Sequence, residues 1–376
     1  MSGRHWSGRA ALAMGAALWL AVAAGCRREP QVDLAAVRAR AEASAQTARQ
    51  WLKTQQAEDG SFSQEAHLPR VGLTSLAAIA LLDQDLDESD PNVQRAIAFI
   101  AANRQPDGSI TGLENVENYE TALSAIALKR TRNTQYNDMM QKAQAYMARL
   151  QQDEGEGIAA DDPRYGGIGY GRRGQPDLSN TQFALEALRE TELGADAETF
   201  RRAALFVERC QNLQRVNRQP WATNDGGFIY MPGLSLANEK AADGQPRHSY
   251  GTMTYAGLLS FSYCEIPKDD PRVQAALAWL RRHYTVEENP GMGHDGLFYY
   301  YMVMAKALAA VGEKQFVDHR GVRHHWAADL VNQLARLQAP DGSWVNDKSS
   351  RWLENNKSLV TAYSMIVLDR CRPFLE

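Results

Sequence analysis

Gln338-Ala339-Pro340-Asp341-Gly342-Ser343-Trp344 is the stretch that decides how this chain folds. It recurs as Gln56-Ala57-Glu58-Asp59-Gly60-Ser61-Phe62 and as Gln105-Pro106-Asp107-Gly108-Ser109-Ile110. Looser copies are Tyr165-Gly166-Gly167-Ile168 and Asp225-Gly226-Gly227-Phe228. An Asp-Gly step makes a tight turn because glycine tolerates positive φ. The aromatic or aliphatic residue that follows can pin the turn to a core. Turns that recur along a chain signal a repeat architecture, which settles the fold before any single helix does.

A second repeat opens helices. Asp90-Pro91-Asn92-Val93-Gln94-Arg95-Ala96-Ile97-Ala98-Phe99-Ile100 parallels Asp270-Pro271-Arg272-Val273-Gln274-Ala275-Ala276-Leu277-Ala278-Trp279-Leu280. Asp is a good N-cap and Pro fits the first helical turn. Between the turns, two kinds of helix alternate. Residues 33–52, 90–103, 135–151, 197–210, 270–282 and 322–337 are amphipathic, with apolar positions at steps of three and four. Residues 76–82, 121–128, 181–188, 255–263, 297–311 and 359–368 are apolar nearly all round, which predicts helices buried on every side. A linear solenoid would leave both helices of each pair half exposed and would need polar caps at its ends. The alternation therefore predicts an all-α fold, an (α/α)6 toroid of six helical hairpins with an outer amphipathic and an inner enclosed layer.

The chain has 376 residues and a net charge of -4, which gives no electrostatic footprint for nucleic acid. Arg4, His5 and Arg9 precede an apolar run over 10–24 that is short for a bilayer span. A basic start, an apolar middle and small residues before a cut site describe an export signal. Val22-Ala23-Ala24-Gly25-Cys26 resembles a bacterial lipobox. That resemblance implies a lipoprotein signal peptide over 1–25, lipid on Cys26, a short tether over 26–32 and a toroid over 33–376. The mature domain would then lie outside the cytoplasm, anchored in the cell envelope. Of four cysteines, Cys210, Cys264 and Cys371 remain; they are widely spaced, form no Cys-x-x-Cys and read as small buried hydrophobes. No metal spacing and no cofactor motif is present in the sequence.

The Gln-x-x-Asp-Gly-Ser-aromatic string after outer helices resembles the prenyltransferase/squalene oxidase repeat of squalene-hopene cyclases and prenyltransferase β-subunits. The resemblance runs from about Asp33 to the end and implies a terpenoid cyclase/protein prenyltransferase-like toroid. Squalene-hopene cyclases start their reaction with an Asp-x-Asp-Asp-Thr motif at the head of an inner helix. The matching stretch is Asp177-Leu178-Ser179-Asn180-Thr181, where Ser179 and Asn180 stand for the later two acids. Neither is a strong proton donor. The zinc-binding Asp-Gly-Cys of prenyltransferases resembles Asp295-Gly296-Leu297, without the thiolate, and no histidine stands near Lys357 or Ser358.

If the inner helices run the same way, their first turns converge on one mouth. The polar residues expected there are Tyr119, Glu120, Asp177, Asn180, His248, Tyr250, His294, Asp295, Glu354 and Lys357. Asp295 and Glu120 are the candidate catalytic acids and the others candidate ligand contacts; each could equally be a helix cap. Tyr299-Tyr300-Tyr301 is expected to pack between the two layers, and His324-His325 to lie on the surface of an outer helix. Two functions compete. One is a non-catalytic protein binding a hydrophobic small molecule or an envelope protein. The other is an enzyme, of the terpenoid cyclase type or a glycan-acting (α/α)6 hydrolase or lyase using mouth carboxylates.

Overall fold

The structure, a computed structural model, describes residues 32–191, 197–240, 242 and 245–376. The expected signal peptide, Cys26 and all of the tether but Val32 lie outside the described residues. Among the described residues there are twelve α-helices. The inner six are α2 (Arg70–Leu82), α4 (Glu117–Arg130), α6 (Leu178–Thr191), α8 (Gly251–Tyr263), α10 (Leu297–Val311) and α12 (Lys357–Cys371). The outer six are α1 (Leu34–Thr54), α3 (Pro91–Ala102), α5 (Asn137–Arg149), α7 (Ala197–Arg209), α9 (Pro271–Arg282) and α11 (Trp326–Leu337). No described helix is long and apolar enough to cross a membrane.

The six expected pairs are all present. Inner helices pack in chain order, and α12 returns to α2, closing the toroid. The first and last hairpins also meet through their outer helices, because α1 packs on α11. Burial follows the sequence pattern: every residue of α2 from Val71 to Leu82 is buried, whereas α3 buries only Val93, Ala96, Ile97 and Ile100. Asp90 and Asp270 cap α3 and α9 through their side chains, with Pro in the first turn.

The repeated turn does three jobs. Its glycine takes positive φ and presses on the next outer helix: a Cβ on Gly60 would lie 2.4 Å from the Arg95 carbonyl oxygen, and one on Gly342 2.8 Å from that of Thr47. Its Asp accepts hydrogen bonds from the Ser backbone and hydroxyl, as Asp341 does from Ser343 at 3.0 and 2.6 Å. In two copies its Gln donates to the turn glycine's carbonyl and to the neighbouring outer helix, Gln56 to Gly60 and Asn92 and Gln338 to Gly342 and Ser44, whereas Gln105 donates to the Asn103 and Thr111 carbonyls. In the looser copies the same bonds come from Gln151 and Gln211, each fifteen residues ahead of its glycine, a separation that hides them in the sequence. The residue after the turn then donates its N–H to a threonine hydroxyl on the inner helix. Phe62, Ile110, Ile168, Phe228 and Trp344 bond in this way to Thr74, Thr121, Thr181, Thr254 and Thr361 at 3.0 to 3.1 Å.

Two local expectations are corrected. The outer helix expected from 322 starts at Trp326, because β1 (Phe316–Val317) and β2 (Arg323–His324) form an antiparallel hairpin ahead of it. His324 lies on β2, facing Asp318 and Asp329, and His325 is the N-cap of α11. The tyrosine run divides, since successive helical residues point about 100° apart. Tyr300 and Tyr301 bond the carbonyls of Thr285 and Val286 behind α10, whereas Tyr299 turns into the bore.

Candidate functional site

The first turns of all six inner helices border one cavity of about 380 Å³. Its wall takes Leu73 from α2, Tyr119 from α4, Asn180 and Phe183 from α6, Met253 from α8, Tyr299 from α10 and Tyr363 from α12. Loop residues Tyr170, Tyr230, Trp352 and Leu353 complete it. Trp352 and Leu353 hold φ of 54° and 65°, a conformation that costs non-glycine residues energy, and the Trp352 ring lies over Gly296.

An aromatic layer crosses the bore. Phe183 stacks on Tyr299 at 5.9 Å, although α6 and α10 are not neighbours in the inner ring. Tyr119 meets Phe183 edge-on at 5.2 Å, and Tyr363 lies 6.1 Å from Tyr299. One to three turns further along these helices stand charged pairs. Lys306 of α10 pairs with Glu186 of α6 at 2.7 Å, their side chains 9% and 2% exposed. Arg130 of α4 pairs with Glu190 and with Asp83. Buried charges persist only when paired in this way. Burial pushes the Glu186 carboxyl up, but the Lys306 charge and hydrogen bond outweigh it and hold the pKa below its ordinary value.

The predicted polar residues separate into three groups. Tyr119, Asn180, Tyr250 and Glu354 line the cavity. Asp177 and Glu120 sit behind the wall. Asp177 caps α6, accepting from the Asn180 N–H and side-chain amide at 2.8 Å each; burial pushes its pKa up to about 6 against those bonds. Glu120 accepts from the Gly72 N–H, the Thr111 hydroxyl and the Gly112 N–H, tying the head of α4 to that of α2. The remaining four lie outside the cavity. Asp295 bonds Ser349 and Arg351 at the rim, Lys357 pairs with Asp341, His248 is exposed, and the His294 ring stands 3.5 Å from the Lys348 ammonium.

Glu354 is the one carboxylate among the described lining residues. It accepts from the Phe298 and Tyr299 N–H groups at 2.9 and 2.8 Å and from the Asn346 amide at 2.7 Å. Burial nevertheless pushes its pKa up to about 7. Helix heads leave orphan N–H groups, and here acceptors within the protein take them: Glu120 serves α2, Asp177 α6, Asn289 α8, Glu354 α10 and Asn356 α12. The mouth's polar residues are therefore largely spent on holding helix heads together.

The zinc set of prenyltransferases does not fit these residues. Leu297 is buried apolar packing next to Asp295, and Lys357 bonds Asp341 at the head of α12. Among the described residues no three His, Cys, Asp or Glu are placed to hold a metal.

Sequence reasoning missed Tyr170 and Tyr230. Each stands two residues after the pinning residue of its turn, Ile168 or Phe228, so the repeat itself carried the signal. Their carbonyls receive the N–H groups of Asn118 and Leu178 at the heads of α4 and α6.

Residues 66–229 match the family model of the squalene-hopene cyclase C-terminal domain. No curated protein matches the chain by sequence. Among solved structures, a variant of the type II terpene cyclase MstE from Scytonema, in complex with its product merosterolic acid A, superposes with a TM-score of 0.59 at 14% identity, covering 91% of this chain and 99% of that one. An unliganded variant of that enzyme gives 0.59 at 13% identity with the same coverage. The GH76A α-1,6-mannanase from Salegentibacter sp. HEL1_6 gives 0.53 at 13% identity, covering 90% of this chain and all of that one. At such identities the structural likeness establishes the fold. The repeat, the closed toroid and the family-model match over residues 66–229 together make this chain similar to the squalene-cyclase-like prenyltransferase/squalene oxidase repeat family.

Proposed function

We propose that this toroid binds a hydrophobic small molecule in its central cavity without cyclising it, as part of an exported envelope protein anchored by lipid on Cys26. One observation carries the reading: an aromatic-lined cavity of about 380 Å³ whose wall at the head of α6 carries Ser179 and Asn180, where the cyclase-like motif has acids. The volume is in the range of ligand pockets. It corresponds to about a dozen waters at the bulk volume of about 30 Å³ each. Emptying it against an apolar ligand is favourable in proportion to the apolar surface covered.

Glu354 is a poor substitute for the missing acids. Protonating an alkene needs a strong acid, and burial makes Glu354 a weaker one. Glycan hydrolysis would need two carboxylates roughly 5–10 Å apart across the site, and the described lining offers one. The basic start, the apolar run over 10–24 and the small residues before Cys26 support export and lipidation.

Native mass spectrometry of the chain beginning after Cys26 tests the binding. A retained apolar adduct, released and identified, is the expected result; a clean apo mass after exposure to cell lipid counts against the pocket. Cyclised product from squalene would overturn the non-catalytic part. Labelling with an alkyne fatty acid in a bacterial host tests the anchor, and Cys26→Ala is expected to abolish it.

A further inference from the structure

The rim loop ahead of α12 has a fixed neck and a loosely held tip. Asn346 and Glu354 are buried and pinch the neck. The Asn346 N–H donates to the Glu354 carbonyl at 2.9 Å, and its side-chain amide bonds the Glu354 carboxylate at 2.7 Å and the His294 carbonyl at 2.8 Å. None of residues 347–353 between them is buried. A closed neck below an unburied tip describes a segment able to open locally while its ends stay in place.

Trp352 and Leu353 at the tip hold the left-handed conformation, at φ of 54° and 65°. Among the described residues, the other non-glycine residues with positive φ have ordinary reasons for it. Asp85, Arg132 and Glu265 stand just past the ends of α2, α4 and α8, where that conformation commonly terminates a helix. Asn115 is of a type that tolerates it. Neither reason applies to Trp352 or Leu353, so the contacts around them impose the conformation.

Those contacts are polar and lie at the surface. Arg351 pairs with Glu239 of the loop ahead of α8 and with Asp295 of the loop ahead of α10, and the Ser349 hydroxyl donates to Asp295 at 2.6 Å. The three charged side chains are 35–43% exposed, so water and salt compete with the pairing. On the inner side Trp352 and Leu353 line the cavity, yet Trp352 remains 42% exposed. Deeper in the bore stand the Lys306–Glu186 and Arg130–Glu190 pairs, which an apolar molecule coming from the other end would have to part. The mouth, past this loop, is the way in.

We infer that residues 347–353 form a lid over the cavity, that Arg351 is its latch to Glu239 and Asp295, and that opening releases the strain held at Trp352 and Leu353. The inference rests on the reading of the cavity as a ligand pocket. A molecule that enters and leaves only while the lid is open has both of its rate constants scaled by the open fraction. Loosening the latch therefore speeds entry and exit together and leaves the affinity unchanged, which removal of a wall contact does not do.

Stopped-flow binding of the neutral dye Nile red to the chain beginning after Cys26 reads both rate constants. Arg351 does not line the cavity. In Arg351→Gln, association and dissociation are each expected to rise about fivefold, the upper worth of an exposed ion pair, at constant Kd. Leu353→Asn, close in size and tolerant of the left-handed conformation, should slow association instead. Salt should speed the wild type and leave Arg351→Gln unchanged, because screening acts on the latch and the dye is neutral. A rise in dissociation alone in Arg351→Gln, or rate constants equal to the wild type's, overturns the lid and leaves the pocket reading standing. No binding of the dye to the wild type overturns the pocket reading and the lid with it.

Discussion

Ser179 and Tyr299 meet across the bore, hydroxyl to phenol, at 2.9 Å. Ser179 stands where the resembling cyclase motif carries its second aspartate, so two neutral groups satisfy each other at that point. Burial raises the Tyr299 pKa further, which makes the phenol a still weaker acid. Ser179→Ala is expected to cost about 1 kcal/mol of stability, the net worth of a neutral hydrogen bond. A double-mutant cycle with Tyr299→Phe, read from denaturation midpoints, should return a coupling of similar size; additive effects would contradict the pairing.

Gly60 of the repeat is under two constraints, and comparison with Gly312, the C-cap of α10, separates them. Gly60 has φ of +91° and a close carbonyl, whereas Gly312 has φ of +79° and open space where a Cβ would stand, with nothing within 4 Å. Gly312→Ala is expected to lose about 1 kcal/mol, from the backbone alone. Gly60→Ala should lose about 3 kcal/mol, because the turn must also lift off α3. Equal losses would mean that docking of the turn adds nothing.

The pair between Glu186 and Lys306 crosses the bore from α6 to α10. Lys306→Met leaves a buried carboxylate without its partner and is expected to cost about 3–5 kcal/mol. Combining it with Glu186→Gln should recover most of that loss, since the charge left behind is removed while Gln182 keeps an acceptor. Chemical denaturation of the three variants decides between a charge effect and a packing effect.

Glu354 predicts the direction of a pH dependence. Its pKa is pushed up by burial to about 7, above the ordinary 4.5. Between those values the folded state holds a proton that the unfolded state has released, so the slope of stability with pH is negative. Stability from this group is present below about pH 4.5 and is lost as pH rises through about 7. Glu354→Gln should therefore flatten the fall in melting temperature over that window. Asp177, pushed up to about 6, adds a fall of the same sign at lower pH, which Asp177→Asn isolates. A wild type whose stability rises through the window would contradict both assignments.

Much of this architecture is legible in the amino-acid order. The Gln/Asp-Gly-Ser turns and the alternation of amphipathic with wholly apolar helices determined the closed toroid, because hydrophobic periodicity reports which face of a helix meets water. Asp90 and Asp270 were readable as caps for the same local reason. Tertiary structure decided which mouth residues see the cavity. An inner helix apolar on all sides has no polar stripe to mark its lumen, and adjacent residues diverge by about 100°. Tyr119 thus lines the bore, while Glu120 beside it turns away to hold the head of α2. Glu354 and Tyr250 reach the cavity, and Asp295 bonds Ser349 and Arg351 at the rim. Those assignments depend on how six helix heads and their loops pack around one axis, a relationship between residues far apart in sequence that no local pattern records.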